Sequence, residues 1–251
     1  HWLSRRTTRW ALRWATLILP NHASLVKGVN TFSDDEPRPE GLLEYTPDLR
    51  MPITTIHNGF DPDFWRPEPG VPRERMVLEV APATTWTVFM TKGLDLLLGV
   101  AERLPDVAFT LVGVEPATAE RWTGRPVPSN VTCLPKQTAE QLRTLYSRAS
   151  VFAHFTLTEG MPNGLCEAML CECVPVGSNV NSLPDIIGDA GVIVHRRDPD
   201  LLVRAIQEGL RAGTGARARQ RIIERYPLDR RRRELTSTLQ RLMQPASDGS
   251  S

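Results

Sequence analysis

Two glutamates with seven residues between them, Glu159 and Glu167, flank a turn built on Gly160, Pro162 and Asn163 in the stretch EGMPNGLCEAMLCECVPVGSN, residues 159–179. The apolar pattern runs this stretch from the end of one strand, through the turn, into a helix and on to the next strand. Asn163 reads as the helix cap, so that the amides of Gly164, Leu165 and Cys166 point out of the helix start without intrahelical partners. Such amides, at the positive end of a helix dipole, make a seat for phosphate. Glu167 follows one turn on, within reach of a pair of sugar hydroxyls, for which a carboxylate is a double acceptor. Glu159, at the strand end, faces whatever the phosphate carries. The plainer alternative is that Asn163 only caps a helix and Glu167 only complements its dipole from a solvated face.

Other residues are weaker candidates taken one at a time. Lys92 reads at a helix start, ahead of Gly93, Leu94, Leu97 and Leu98. The macrodipole disfavours a cation there by about a few tenths of a kcal/mol, so an ammonium argues for a negative ligand. His154, in the strand VFAHFT, reads first as a core histidine, and only its place near the strand's carboxyl end keeps it as a weak site candidate. Asn58 and Gly59 form an ordinary turn signal. Cys133, Cys166, Cys171 and Cys173 include no CxxC pair and no matching histidine spacing. Zinc and a disulfide framework are therefore both disfavoured, and reduced core thiols in a cytoplasmic chain are the expectation.

These residues must be held by a larger framework. The chain has 251 residues, enough for one large domain or one domain and part of another. Hydrophobic residues make up 41% and charged residues 24%, which excludes disordered and fibrous classes. Thirty Lys and Arg against 29 Asp and Glu leave a net charge of +1, so no whole-chain basic field argues for nucleic acid. From Met76 onward the strand patterns MVLEV, AFTLVGV, NVTCL, VFAHFT, VPVGS and GVIVH alternate with helical patterns. These run from Lys92, through Leu142 and Leu145, from Asn163, near Leu183 to Ile187, and from Asp200 to Leu210. Six strands this apolar, joined by helices, predict an α/β fold: a Rossmann-like parallel sheet with helices on both faces and ligand beyond the carboxyl ends. Neither GxGxxG nor GxxxxGK[ST] occurs, which removes the common dehydrogenase fingerprint and the P-loop.

Outside that core, Arg5, Arg6, Arg9 and Arg13 interleave with Trp10 and Trp14 in a helical pattern. It reads as a solvated or domain-facing helix, with peripheral membrane contact as the second reading. No apolar run reaches the ~20 residues that span a bilayer. Residues 21–29 read as a further helix, 53–56 as a short strand, and DPDFWRPEPGVP as a stiff connection. The expected organisation is an N-terminal remnant (1–59), a linker (60–75), a Rossmann-like domain (76–226), a helix returning toward the N-terminal part (227–243) and a disordered tail (244–251). Arg230 to Arg233 read as a solvated helix face.

The pattern EGxPNxLxEAM, followed by PVGSN and LPDIIGDAG, resembles the donor-site signature of retaining family 4 glycosyltransferases of GT-B fold. ITTIHNGFDPDFW resembles that family's linker, and KGLDLLLGVAERLPDVAFTLVG its first helix and second strand, so the resemblance runs from about residue 17 to 212. It implies two Rossmann-like domains facing a cleft, the second of them holding a nucleotide diphosphate sugar. A hexose would pass to a hydroxyl acceptor (a glycan, a lipid-linked or a small molecule) with retention, using no metal and no cofactor beyond the donor substrate. It assigns Glu159 and Lys92 to catalysis, with Lys92 and Gly93 at the diphosphate, Glu167 at the ribose, Asn163, Gly164, Leu165 and Cys166 at the helix start, and Asn58 and Gly59 toward the cleft. The chain departs from the pattern at two points. The family's Gly-Arg pair after the first strand is replaced by Ala81, Pro82, Ala83, Thr84 and Thr85, and Thr85 or its neighbours offer hydrogen bonds without charge. Glu172 stands where the family has Gly and either snorkels from the last helical turn or disturbs its packing. Two other readings stay open: a non-catalytic nucleotide-sugar-binding module acting with a partner, and an epimerase of the same architecture. Because the chain begins at His1 inside a helical pattern and only residues 1–59 resemble the first domain, these 251 residues alone are expected to turn over poorly.

Overall fold

The computed structural model describes residues 2–12, 14–33 and 36–244, with the side chains of residues 2–6 left out. All of the expected tail, 244–251, except residue 244, and the side chains of Arg5, Arg6 and Arg13 lie outside the described residues. In chain order the strands are β1 Gly28–Asn30, β2 Arg38–Glu40, β3 Glu74–Val80, β4 Ala108–Val112, β5 Val131–Leu134, β6 Ala149–His154, β7 Val174–Ser178 and β8 Val192–Val194. The helices are α1 Trp2–Leu12, α2 Leu42–Tyr45, α3 Trp86–Thr91, α4 Leu94–Arg103, α5 Pro116–Thr123, α6 Ala139–Arg148, α7 Asn163–Leu170, α8 Leu183–Ile187, α9 Pro199–Ala212, α10 Gly215–Arg225 and α11 Leu228–Met243.

β3 to β8 form one six-stranded sheet in the order β5-β4-β3-β6-β7-β8, every neighbouring pair parallel. Its strands read as apolar runs because both faces are covered: β7 is buried at every residue and β3 from Met76 to Glu79. α9 buries Leu202, Ala205, Ile206 and Gly209, one face at helical spacing. At Gly209 a Cβ would lie 2.6 Å from a methyl of Val176, so glycine lets this helix lie close to β7. α4 packs beside α9, while α6, α7 and α10 pack together over the other face.

The six expected strands and the helices between them are present, with three additions. α3, with six residues, is too short to show a helical period, and α5 and α10 carry too few apolar positions to stand out in the sequence. α10 buries little besides Ala218 and Ile222, and it is held by Arg219, which donates to the carbonyls of Trp65, Leu170 and Pro62. The same arginine therefore fastens the proline-rich segment 60–75 to the sheet domain. Arg73 repeats the device on the Tyr146, Ala149 and Cys171 carbonyls.

The N-terminal part departs from its sequence reading. Residues 21–29 are not a helix: a 3-10 turn at Ala23–Leu25, capped by His22, leads into β1, which pairs antiparallel with β2. Residues 53–56 form no strand beyond an isolated parallel bridge between Ile18 and Ile53. Trp10 and Trp14 are exposed, and Arg9 donates to the Tyr45 carbonyl at 2.8 Å. α11 returns to residues 56–60 through a bridge of Phe60 with Pro227 and three hydrogen bonds from Arg231 to Ile56, His57 and Asn58. Arg230, Arg232 and Arg233 are exposed as expected, whereas Arg231 is half-buried and structural. No helix among the described residues is long and apolar enough to cross a membrane.

Candidate active site

β3 and β6 lie side by side at the centre of the sheet, and their next connections run to opposite sides, toward β4 and toward β7. A crevice opens at such a switch point because the loops diverge. Here it is a cleft of about 360 Å³. It is lined by Val80 at the end of β3, Ala81 and Pro82 beyond it, His154 at the end of β6, Lys92, Glu159, Asn58 and residues 161–165 at the start of α7.

The helix start differs by one residue from its sequence reading. Pro162, not Asn163, is the N-cap of α7, and Asn163 is its first residue. The Asn163 side chain is drawn away by Asn58, whose amide donates to Asn163 Oδ1 at 2.9 Å. The Cys166 amide already donates to the Pro162 carbonyl at 3.4 Å. The first-turn donors are accordingly the amides of Asn163, Gly164 and Leu165.

Lys92 also sits differently. α3 ends at Thr91, Lys92 is its C-cap, and Gly93 opens α4 in the left-handed region at φ +67°. The Lys92 backbone is thus at a helix C-terminus, where a cation is favoured, so the dipole argument for a ligand fails. Its ammonium nevertheless reaches the cleft and pairs with Glu159. Gly93 permits a close approach to protein, since a Cβ there would lie 2.1 Å from the Phe155 carbonyl oxygen. Thr85 caps α3, accepting from the Val88 amide at 3.3 Å, and is not part of the cleft lining.

Glu159 is held on all sides. Its Oε2 meets Lys92 Nζ and, at 3.3 Å, His154 Nε2; Oε1 accepts from the Gly160 amide at 3.2 Å; its own amide donates to Asn181 Oδ1 at 2.9 Å. Burial alone would raise the Glu159 carboxyl, but the His154 hydrogen bond and charge, with Lys92, outweigh it and hold the group at about 2. Behind His154 its Nδ1 lies 2.9 Å from Oε1 of Glu79, a fully buried carboxylate on β3. Burial would depress the imidazole, yet Glu79 and Glu159 win and raise it to about 9. Burial pushes the Glu79 carboxyl up against the opposing pull of His154.

A second cleft of about 420 Å³ adjoins the first, sharing Asn58 and Asn163 with it. Gly59, Asp61, Trp65, Glu167 and Arg231 line it. Glu167 accepts from the Tyr146 hydroxyl at 3.3 Å, and burial raises its carboxyl to about 7 against that hydrogen bond. Among the described residues no group of three or more His, Cys, Asp and Glu side chains is arranged to hold a metal ion.

The sequence matches the family described as "Glycosyl transferases group 1" over residues 84–212, which is half the chain. The chain belongs to that family. A curated relative is the O-antigen chain mannosyltransferase B of Escherichia coli, 38% identical over 71 residues, or 28% of this chain and 19% of that protein. The chain spans between 19% and 39% of the length of the curated relatives it matches. Among solved structures, sucrose-phosphate synthase from Thermosynechococcus elongatus superposes with a TM-score of 0.75 at 18% identity, over 96% of this chain and 62% of that one. Anabaena Alr3699/HepE in complex with UDP-glucose superposes with a TM-score of 0.73 at 17% identity, over 95% and 68%. The fold of this member of the group 1 family is therefore of the GT-B type.

Within this chain, folding gathers Glu159, Lys92, His154, Asn58 and the start of α7 around one cleft, and Glu167 and Gly59 around its neighbour. The sequence reading missed Glu79, Tyr146, Asn181 and Arg231. Glu79 carried one signal, an acidic residue inside the apolar strand MVLEV, where a fully buried carboxylate requires a partner. Glu172 is also explained: it lies beyond the end of α7 at φ +64°, the left-handed position where glycine is the usual residue.

Proposed function

We propose that this group 1 glycosyltransferase transfers a hexose from a nucleotide diphosphate sugar to a hydroxyl acceptor, with retention at the anomeric carbon. The observation that carries the reading is the cleft at the β3–β6 switch point, where the first-turn amides of α7, Lys92 and Glu159 converge. On this reading the diphosphate lies against the amides of Asn163, Gly164 and Leu165 with Lys92 beside it. Those donors meet negative charge as it develops on the leaving group, so that no bound divalent ion is called for. Glu159, at the far side of Lys92, faces the sugar. Glu167 takes the ribose hydroxyls in the adjoining cleft, with Trp65 and Asp61 nearby. The bond from C1 to the diphosphate oxygen breaks, the acceptor oxygen bonds to C1, and the acceptor's proton passes to the departing diphosphate. Retention follows if attack comes from the leaving-group face, which product anomer analysis by NMR tests. The complex of Alr3699/HepE with UDP-glucose makes UDP-glucose the first donor to test.

One observation favours a second reading, a nucleotide-sugar-binding module without turnover of its own. Ala81 and Pro82 line the cleft where a second cation for the diphosphate would stand. Titration calorimetry with UDP, GDP and ADP decides whether the site binds nucleotide at all. Glu167→Ala is expected to weaken binding by roughly 1.5–3 kcal/mol, the range for hydrogen bonds to a charged group. Unchanged affinity in both Glu167→Ala and Lys92→Ala, with the fold intact, would reduce α7 to a capped helix and end the proposal.

A further inference from the structure

Glu159 Oε2 has two cationic neighbours, Lys92 and His154, and they differ in freedom. The Lys92 side chain is long, partly exposed and borders the cleft. His154 is buried in β6, its ring fixed at both nitrogens: Nδ1 at 2.9 Å from Glu79 Oε1 and Nε2 at 3.3 Å from Glu159 Oε2. With Glu79 and Glu159 ionised, both carboxylates only accept hydrogen bonds, and the ring between them donates from both nitrogens as an imidazolium. Glu79 has no other hydrogen-bond partner for its second buried oxygen, so its place in the sheet is explained by His154 alone. An apolar pair would fill the same space without the desolvation that two buried charges incur.

We propose that His154, clamped by Glu79, is a positioning residue of the transfer site: it keeps Glu159 ion-paired while Lys92 turns from Glu159 to the donor's diphosphate. The inference rests on the function proposed above. Without His154, Lys92 is the one cation on Glu159, and its release to a diphosphate would leave a half-buried carboxylate unpaired. With His154 in place, the ammonium moves at little cost, and the cation absent at Ala81 and Pro82 is offset in part by a lysine that is free to leave. The other charged groups facing the ring are those already named: Glu79 on β3, Glu159 on the turn before α7, and Lys92 between α3 and α4.

The test compares UDP with uridine, which lacks the diphosphate, on wild type, His154→Gln and Glu79→Gln. UDP affinity is expected to fall about tenfold or more in His154→Gln and to a lesser extent in Glu79→Gln, with uridine affinity within about twofold of wild type. Equal weakening of both ligands would mark His154 as structural only, and unchanged UDP affinity in both folded variants would overturn the proposal. Should His154→Gln fail to fold, ring nitrogen NMR on the wild type decides: both nitrogens protonated at pH 7.5 is the expected result, and a bare Nε2 overturns the clamp. Failure of the wild type to bind any of UDP, GDP and ADP would instead reject the proposed function itself.

Discussion

Three carboxylates in and behind the clefts start from one chemistry and are driven apart by their surroundings. Glu159, between an imidazolium and an ammonium, is held at about 2; Glu167, with only a tyrosine hydroxyl to compensate burial, rises to about 7; Glu79 is pushed up by complete burial. Each has a consequence for stability against pH. Glu167 keeps its proton in the folded chain to a higher pH than in the unfolded one, so stability falls as pH rises from 4.5 to about 7. Glu167→Gln is thus expected to melt higher than wild type at pH 8, the difference vanishing below pH 4.5; a difference that persists at low pH would point to another cause. His154 works in the same sense through a raised imidazole: its contribution is complete below 6.5 and lost as pH rises through about 9. In melting scans His154→Gln should lack that alkaline decline. Glu159 is the opposite case, its contribution present above 4.5 and lost as pH falls toward 2.

Among the junctions that place a residue in the left-handed region, Gly93 and Glu172 call for opposite outcomes. Gly93, between α3 and α4, has φ +67°, and a Cβ there would run into the Phe155 carbonyl. Gly93→Ala should cost about 1–3 kcal/mol or more and move Lys92 with it. Glu172, past the end of α7, has φ +64° without being glycine. Its side chain is half-buried and its carbonyl meets the start of α10 at Gly215. Glu172→Gly should stabilise the chain by about 1 kcal/mol, since the left-handed conformation carries its penalty only for residues with a Cβ. Urea denaturation of the two variants beside wild type measures both signs. A loss in Glu172→Gly would mean that this side chain makes a contribution larger than its backbone strain.

At the scale of the whole molecule, α11 and the segment 60–75 turn what the sequence presents as appendages into parts of the site. Arg231 ties α11 to Ile56, His57 and Asn58, and Asn58 in turn orients Asn163 at the start of α7. The described residues hold one large sheet, whereas transfer also needs an acceptor held at attack distance, which can contribute about 7–11 kcal/mol of barrier lowering. We expect these 251 residues to bind donor but to form product at least about 100-fold more slowly than the same chain joined to a second Rossmann-like domain. Equal rates would place the acceptor site within residues 1–251.

Strand positions were legible because a strand buried on both faces is an apolar run wherever it lies, and VPVGS became β7 at the same residues. The spacing of Glu159 and Glu167 was equally local, one turn and one helical turn of chain. α3 and α5 were not legible because they are short, and α10 because it buries little besides Ala218 and Ile222 and is held by hydrogen bonds of Arg219 to carbonyls far away in sequence. The one-residue shift of the α7 cap came from Asn58, 105 positions before its partner. The sequence by itself determined that there would be a parallel α/β sheet and, at its crest, a turn leading from a strand into a helix. Only the tertiary structure decided which residues face each other there. Glu79 and His154 are 75 residues apart and meet because β3 and β6 are neighbours in the sheet, and strand order is fixed by packing across the whole domain, with no trace in any local pattern.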